Sequence, residues 1–169
     1  TFWNTLVAVV ADDDIAAGGD PVNYDQPTIQ NVDKMIHTPS DNNQLRDIWS
    51  LMYAGLNRAN YVLEFKDKTA FEGRDNIIAQ AYFLRAYYTF ELVKFYGNVP
   101  LKIDETSGKK RILNKRILFG EQFDVNRTKD IAEAYSLIEE DLKEAILNLP
   151  ITQDMKYKVK HCNVSFKVY

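Results

Sequence analysis

Cysteine and histidine are scarce in this chain, with one Cys and two His among 169 residues. A single Cys excludes an internal disulfide framework. Gly-rich phosphate loops, Cys-x-x-Cys pairs, His-Glu-x-x-His helices and Gly-x-Ser-x-Gly elbows are all missing. His161 and Cys162 are adjacent, but a metal site needs further ligands that converge on one point. We therefore predict no catalytic residues, no metal site and no cofactor.

Long apolar runs and a strong net charge are also missing. No stretch reaches the roughly 20 apolar residues of a membrane helix. The net charge of −3 gives no electrostatic reason to expect nucleic-acid binding. The basic cluster between Lys109 and Arg116 is expected to be a solvated loop. Thr1–Val10 is apolar but lacks the features of a signal peptide, and it resembles the end of a helix. Because there is no starting Met, we expect a processed or trimmed chain.

The remaining composition, 46% hydrophobic and 27% charged, is typical of one globular domain over residues 1–169. Residues 11–43 are rich in Asp, Gly and Pro, which predicts a long ordered loop rather than a regular element. Loops of this length inside a compact domain are often functional.

Three amphipathic helices are predicted after this loop. From Asn43, apolar residues recur at three- and four-residue steps, with Asp41, Asn42 or Asn43 as the N-cap. A second helix follows from about Arg74 to Tyr96, so residues 43–97 form a helix hairpin. A third helix, with Thr128 as N-cap, occupies residues 127–150.

The predicted class is all-α, with antiparallel hairpins similar to tetratricopeptide repeats and long ordered loops between them. Tyr53 and Tyr87 occupy equivalent points of the two helices, close to the ~34-residue period of that repeat. The inward positions of the second helix are predicted to include Ile77, Leu84 and Tyr88. Arg85 is expected to pair with a carboxylate or a helix end, and Asn60 to be a hydrogen-bonded amide.

Three segments resemble one protein family. Ala79–Tyr88 reads AQAYFLRAYY, and Tyr96–Leu101 reads YGNVPL. Trp49, Tyr53 and the pair Ala59-Asn60 precede them, and Arg127–Pro150 follows. In this order the segments resemble the SusD/RagB family over about residues 43 to 150. The motif residues themselves are expected to be structural, so function lies elsewhere in the chain.

The resemblance implies a non-catalytic surface lipoprotein that binds glycans or other nutrients for polysaccharide utilisation. Such a protein is lipid-anchored on the extracellular face of a Bacteroidetes-type cell outer membrane, through an N-terminal anchor not present in this chain. It works with a SusC-like TonB-dependent transporter, which the helix pairs tend to face. Family members are several times longer, and residues 156–169 depart from the family pattern, so we expect a truncated chain.

A sugar site needs an exposed aromatic ring beside amides and carboxylates, because a sugar has apolar C–H faces and a rim of hydroxyls. Three aromatic residues lie outside the clear helix stripes: Trp3, Tyr24 and Tyr61. The loop around Tyr24 supplies the polar groups. The predicted ligand-binding residues are Trp3, Asn23, Tyr24, Asp25, Gln26, Asn42 and Asn43.

Two other functions stay open at this stage. The first is a helical-repeat scaffold that binds protein and has no affinity for sugar. The second is a glycan-degrading enzyme, which requires two carboxylates that face each other across a cleft. The acidic residues Glu139 to Glu144 are instead predicted to form the solvated face of the third helix.

Overall fold

Helices hold most of the chain in a computed structural model that describes residues 2–12, 14–20, 22, 26–38, 40, 42–106, 108–118, 121 and 124–150, with side chains from Asn4 onward. The predicted all-α class is confirmed. The elements are α1 (Phe2–Val10), α2 (Pro27–Asp33), α3 (Asn43–Glu64), α4 (Arg74–Tyr96), β1 (Ile103–Asp104), β2 (Arg111–Ile112) and α5 (Ile131–Asn148).

The chain divides into two compact units, residues 1–51 and residues 52–169. In the first unit α1 and α2 pack together, and the buried apolar residues include Val7, Val10, Ile29 and Val32. Asn42 is the N-cap of α3, because its Oδ1 accepts a hydrogen bond from Leu45 N at 2.8 Å.

The segment 11–43, predicted as a loop without regular structure, contains α2. Pro often marks a loop, but it is also favoured in the first turn of a helix, and Pro27 begins one. Ile29 and Val32 bury one short face. A seven-residue helix is too short to show a repeating apolar pattern, so periodicity could not detect it.

The preceding segment is tied to α2 by two hydrogen bonds. Gln30 Nε2 donates to Gly18 O at 2.7 Å, and Ala17 N donates to Asp33 Oδ2 at 3.3 Å. Gly19 has φ +103°, and a Cβ there would lie 2.4 Å from Gln30 Nε2. Glycine at position 19 therefore allows this segment to lie against the Gln30 side chain.

In the second unit α3 and α4 form the predicted antiparallel hairpin. Gly55 faces the ring of Tyr88, since a Cβ on that glycine would lie 2.4 Å from ring atoms. Further along α3, Asn60 Oδ1 accepts from Arg85 Nη1 at 2.9 Å. As the residue number rises on α3 it falls on α4, which makes the two helices antiparallel.

Arg85 is the centre of a buried polar cluster, and both sequence predictions for it and for Asn60 are confirmed. The Arg85 side chain is 1% exposed, and its Nε and Nη2 donate to the Asp141 carboxylate at 2.7 and 2.6 Å. Its Nη1 also donates to Asn114 Oδ1 at 2.8 Å. One guanidinium thus joins α4 to α3, to α5 and to the segment after β2. Asp141, predicted on the solvated face of α5, is instead buried.

The inward face of α4 differs from the predicted one. Ile77 and Leu84 are exposed, at 46% and 40%, whereas Arg85 and Thr89 are buried. The helix contacts α3 on one side and α5 on another, so its buried surface is not a single apolar stripe. Polar residues such as Arg85 therefore occupy inward positions of α4 at which an apolar pattern predicts apolar residues.

The start of α5 also differs from the prediction. Thr128 is extended, because its N donates to Val99 O at 3.0 Å beside a β-bridge between Pro100 and Arg127. Asp130 is the N-cap, and its carboxylate accepts from Glu133 N at 2.7 Å. The helix begins at Ile131, four residues later than predicted.

The basic cluster, predicted as a solvated loop, is largely paired with acidic residues. Ile103 and Asp104 pair with Ile112 and Arg111 in a short antiparallel hairpin. Arg111 Nη1 lies 2.9 Å from Glu144 Oε1 on α5. Lys110 Nζ lies 2.6 Å from Glu133 Oε1, also on α5. The cations therefore attach this hairpin to α5.

Candidate functional site

The predicted ligand-binding residues are only partly within the described residues. Asn23, Tyr24 and Asp25 lie outside them, and so does the side chain of Trp3, whose backbone belongs to α1. Gln26 and Asn43 are exposed, and Asn42 is buried. Gln26 Oε1 accepts a hydrogen bond from Gln44 Nε2 at 3.4 Å.

Asn42 has a structural position. Its Oδ1 caps α3, and its Nδ2 donates to Thr28 O in α2 at 3.0 Å. The residue is 3% exposed. Both polar atoms therefore have protein partners, and the residue joins the end of the loop to α2.

Two further glutamines in this unit carry buried acceptors that sequence reasoning did not single out. Gln30 and Gln44 are buried, and neither Oε1 accepts a hydrogen bond among the described residues. A buried amide oxygen without a donor is uncommon in native proteins, and each case calls for an explanation. Gln44 contacts Gln26, one of the predicted ligand-binding residues. In the sequence, Gln30 and Gln44 are marked only as polar residues at apolar helix positions, which is a weak indication of a site.

Exposed aromatic side chains occur at three described positions: Tyr61, Phe71 and Tyr87. Tyr61 is the most exposed, at 52%. Burial raises the pKa of the Tyr87 hydroxyl, with a further contribution from the nearby Glu91 carboxylate. Of the three, Tyr61 has both a cation and a carboxylate arranged around it.

The surroundings of Tyr61 form a small cluster at the end of α3. The Tyr61 and Phe65 ring centroids are 5.0 Å apart, with the planes tilted by 57°. The Arg116 guanidinium carbon lies over the Tyr61 ring, 4.7 Å from its centroid. Arg116 Nε also lies 2.9 Å from Glu64 Oε2. We call Tyr61, Glu64, Phe65 and Arg116 the Tyr61 cluster.

A concave cleft of about 960 Å³ lies between the β-hairpin, the segment 121–129 and the start of α5. Its charges largely neutralise each other. Lys102 Nζ is 2.7 Å from Glu121 Oε2, and Lys110 contacts both Glu105 and Glu133. Hydrogen bonds from Lys110 and from Lys129 N hold the pKa of Glu133 below its usual range.

The described residues that line the cleft include no aromatic side chain. The ion pairs fix the hairpin against α5, so the cleft has an evident structural role. It lacks the stacking surface that a sugar ring requires.

In the described ranges no three His, Cys, Asp or Glu side chains come together as a group able to hold a metal ion. No described helix combines the length and the apolar character needed to cross a membrane.

The described residues thus form a mostly helical protein with one long antiparallel hairpin, α3 and α4. A family model described as "Starch-binding associating with outer membrane" matches residues 20–165. That match covers most of the chain, and the chain therefore belongs to the SusD-like family. The predicted family is confirmed. No curated protein sequence matches the chain.

Several solved structures are similar. A laminarin-binding SusD-like protein is 29% identical with a TM-score of 0.70, over 96% of this chain and 32% of its own. A SusD-like protein from Bacteroides fragilis NCTC 9343 is 25% identical with a TM-score of 0.64, over 79% and 24%. The surface glycan-binding protein A from Bacteroides fluxus shares the fold at 22% identity, with a TM-score of 0.72, over 94% and 31%. The chain thus spans about a quarter to a third of the length of these structures.

Proposed function

We propose that this chain belongs to a carbohydrate-binding surface protein of the outer membrane, one that captures oligosaccharides for uptake and has no catalytic step. The observation that carries the proposal is the family match over residues 20–165, whose description combines starch binding with the outer membrane. A relative that is 29% identical is named for laminarin binding, which makes a β-glucan the first ligand to test.

The ligand site proposed comprises Trp3 in α1, Asn43 at the start of α3 and four residues that precede α2 in the chain: Asn23, Tyr24, Asp25 and Gln26. Tyr24 would stack on a sugar ring, and its polar neighbours would bind the hydroxyls. A hydrogen bond from the buried Gln44 orients the side chain of Gln26, one of the proposed site residues. Asn42 has a structural role beside this site, because its side chain caps α3 and donates to Thr28 O in α2.

Affinity electrophoresis tests the ligand proposal. The chain is run through native gels that contain laminarin, starch or no polysaccharide, beside Tyr24→Ala and a matched control, Tyr87→Ala. We expect retardation by at least one polysaccharide, lost in the Tyr24 variant and kept in the control. Equal mobility in every gel would reject carbohydrate binding by this chain.

The partner proposed is a SusC-like TonB-dependent transporter, with the protein held at the extracellular face through an N-terminal lipid. The exposed apolar side chains of α4 support a protein partner, since Ile77, Leu84 and Tyr87 recur at helical spacing on one side. A Leu84→Glu variant should reduce co-purification with the transporter from membranes, whereas Glu139→Gln on the exposed side of α5 should not. Equal recovery of both variants would reject α4 as the contact.

A further inference from the structure

The Tyr61 cluster meets, at a second place, the requirement set out above for a sugar site. An aromatic ring that is 52% exposed lies at the end of α3, with a guanidinium and a carboxylate beside it. The proposed loop site lies in residues 1–51, whereas every member of this cluster lies in residues 52–169. The two sites therefore rest on different side chains.

The polar groups of the cluster retain unused hydrogen-bonding capacity. Arg116 uses Nε to contact Glu64 Oε2 at 2.9 Å. Among the described residues, no hydrogen bond involves the Tyr61 hydroxyl, the Arg116 Nη1 and Nη2 groups or Glu64 Oε1. Free donors and an acceptor beside an exposed ring can hydrogen-bond the hydroxyls of a pyranose, which both donate and accept.

The cluster is also held in place before any ligand arrives. Phe65 packs against Tyr61, and Lys68 Nζ lies 4.6 Å from the Phe65 ring centroid. The segment that carries Arg116 is fixed by Asn57, which accepts from Ile117 N at 2.9 Å and donates to Ile117 O at 3.0 Å. Preorganised side chains lose little conformational entropy on binding, which favours affinity for a small, rigid ligand.

We propose that the Tyr61 cluster is a second carbohydrate contact, in which a pyranose ring stacks on Tyr61 and its hydroxyls bind Arg116 and Glu64. The proposal rests on the proposed carbohydrate-binding function but not on the loop site.

Nuclear magnetic resonance on the isotopically labelled 169-residue chain tests this second contact. Laminarihexaose and maltohexaose are titrated to millimolar concentration while backbone and Arg116 side-chain signals are followed. With at least one of the two oligosaccharides, we expect saturable changes in the chemical shifts of Tyr61, Phe65 and Arg116. Tyr61→Ala should weaken this response about tenfold or more, whereas Tyr61→Phe, which keeps the ring, should weaken it much less.

Phe71→Ala is the matched control, because it removes an exposed aromatic ring that lies outside the cluster and should leave the shifts unchanged. Saturable shifts confined to residues 11–43 would overturn the second contact and leave the proposed function standing. No saturable shift anywhere would overturn both.

Discussion

The ion pair between Arg85 and Asp141 offers a quantitative test of how the second unit is held together. The side chains are 1% and 3% exposed, and two hydrogen bonds of 2.6 and 2.7 Å join them. Burial raises the pKa of Asp141, and the Arg85 charge opposes that rise. Removing one partner therefore leaves an uncompensated buried group, which typically costs about 3–5 kcal/mol of unfolding free energy.

The perturbations are Arg85→Met, Asp141→Leu and the double variant, with Arg58→Met on the exposed side of α3 as control. Urea unfolding followed by circular dichroism gives the free energies. We expect each single variant at Arg85 or Asp141 to lose about 3–5 kcal/mol, which lowers Tm by about 6–20 °C in a chain of this length. The control should stay within about 0.5 kcal/mol.

The double variant should recover at least about 2 kcal/mol of the summed single losses, because it removes both charges together. Recovery should be incomplete, since Asn60 and Asn114 then lose the donor that Arg85 supplies to them. Single losses below about 1 kcal/mol would refute the view that this pair holds α4 to α5.

Three further substitutions test separate contacts. Gly55→Ala places a Cβ 2.4 Å from the Tyr88 ring, so urea unfolding should show a loss of about 1–3 kcal/mol. In a Tyr88→Ala background the same change should stabilise the helix by about 0.5–1 kcal/mol, and an equal loss in both backgrounds would contradict the contact. Asn42→Ala should cost about 1 kcal/mol as a lost cap, and no fall in Tm would contradict the capping role. The pKa of Glu133 is lowered in the folded state by the hydrogen bond from Lys110. Its stabilisation is therefore present above the unfolded pKa near 4.5 and is lost as the pH falls through the folded value. Glu133→Gln should therefore be less stable than the parent at pH 7, by a difference that shrinks as the pH falls below 4.5, and an equal difference at pH 7 and pH 3 would contradict the pairing.

The bounds of the two longest helices agree with the prediction. Asn43 begins α3, and α4 runs from Arg74 to Tyr96 between Gly73 and Gly97. Periodicity identified α3, whereas the two glycines mark the ends of α4. The pairing of Arg85 was also predictable, since a charged residue inside an apolar motif needs a partner. Its partner was not, because Asp141 lies among other acidic residues and only tertiary packing distinguishes it from them.

The shorter features escaped prediction for physical reasons. The helix α2 has seven residues, and the strands of the hairpin have two each, too few for either pattern to repeat. Thr128 is a good capping residue by type, but its backbone is hydrogen-bonded to Val99. Asp130 is the N-cap of α5 instead. Contacts distant in the sequence decided both outcomes.

The sequence predicts which side chains a sugar site needs, but not where in the fold those side chains come together. The requirement for an exposed aromatic ring with polar neighbours follows from the shape of a sugar, and Tyr61 was among the residues outside the helix stripes. Arg116, which lies over the Tyr61 ring, is fifty-five residues further along the chain. No local pattern joins residues so far apart. The site residues of the loop stay a prediction.

A crystal structure of the protein bound to laminarihexaose would locate the ligand. We expect a sugar ring stacked against Tyr24, with hydroxyls hydrogen-bonded to its polar neighbours Asn23, Asp25 or Gln26. A ring on Tyr61 in the same crystal would add the second contact. A saccharide bound only outside residues 11–43, or no bound saccharide at concentrations where affinity gels show retardation, would contradict the loop as the ligand site.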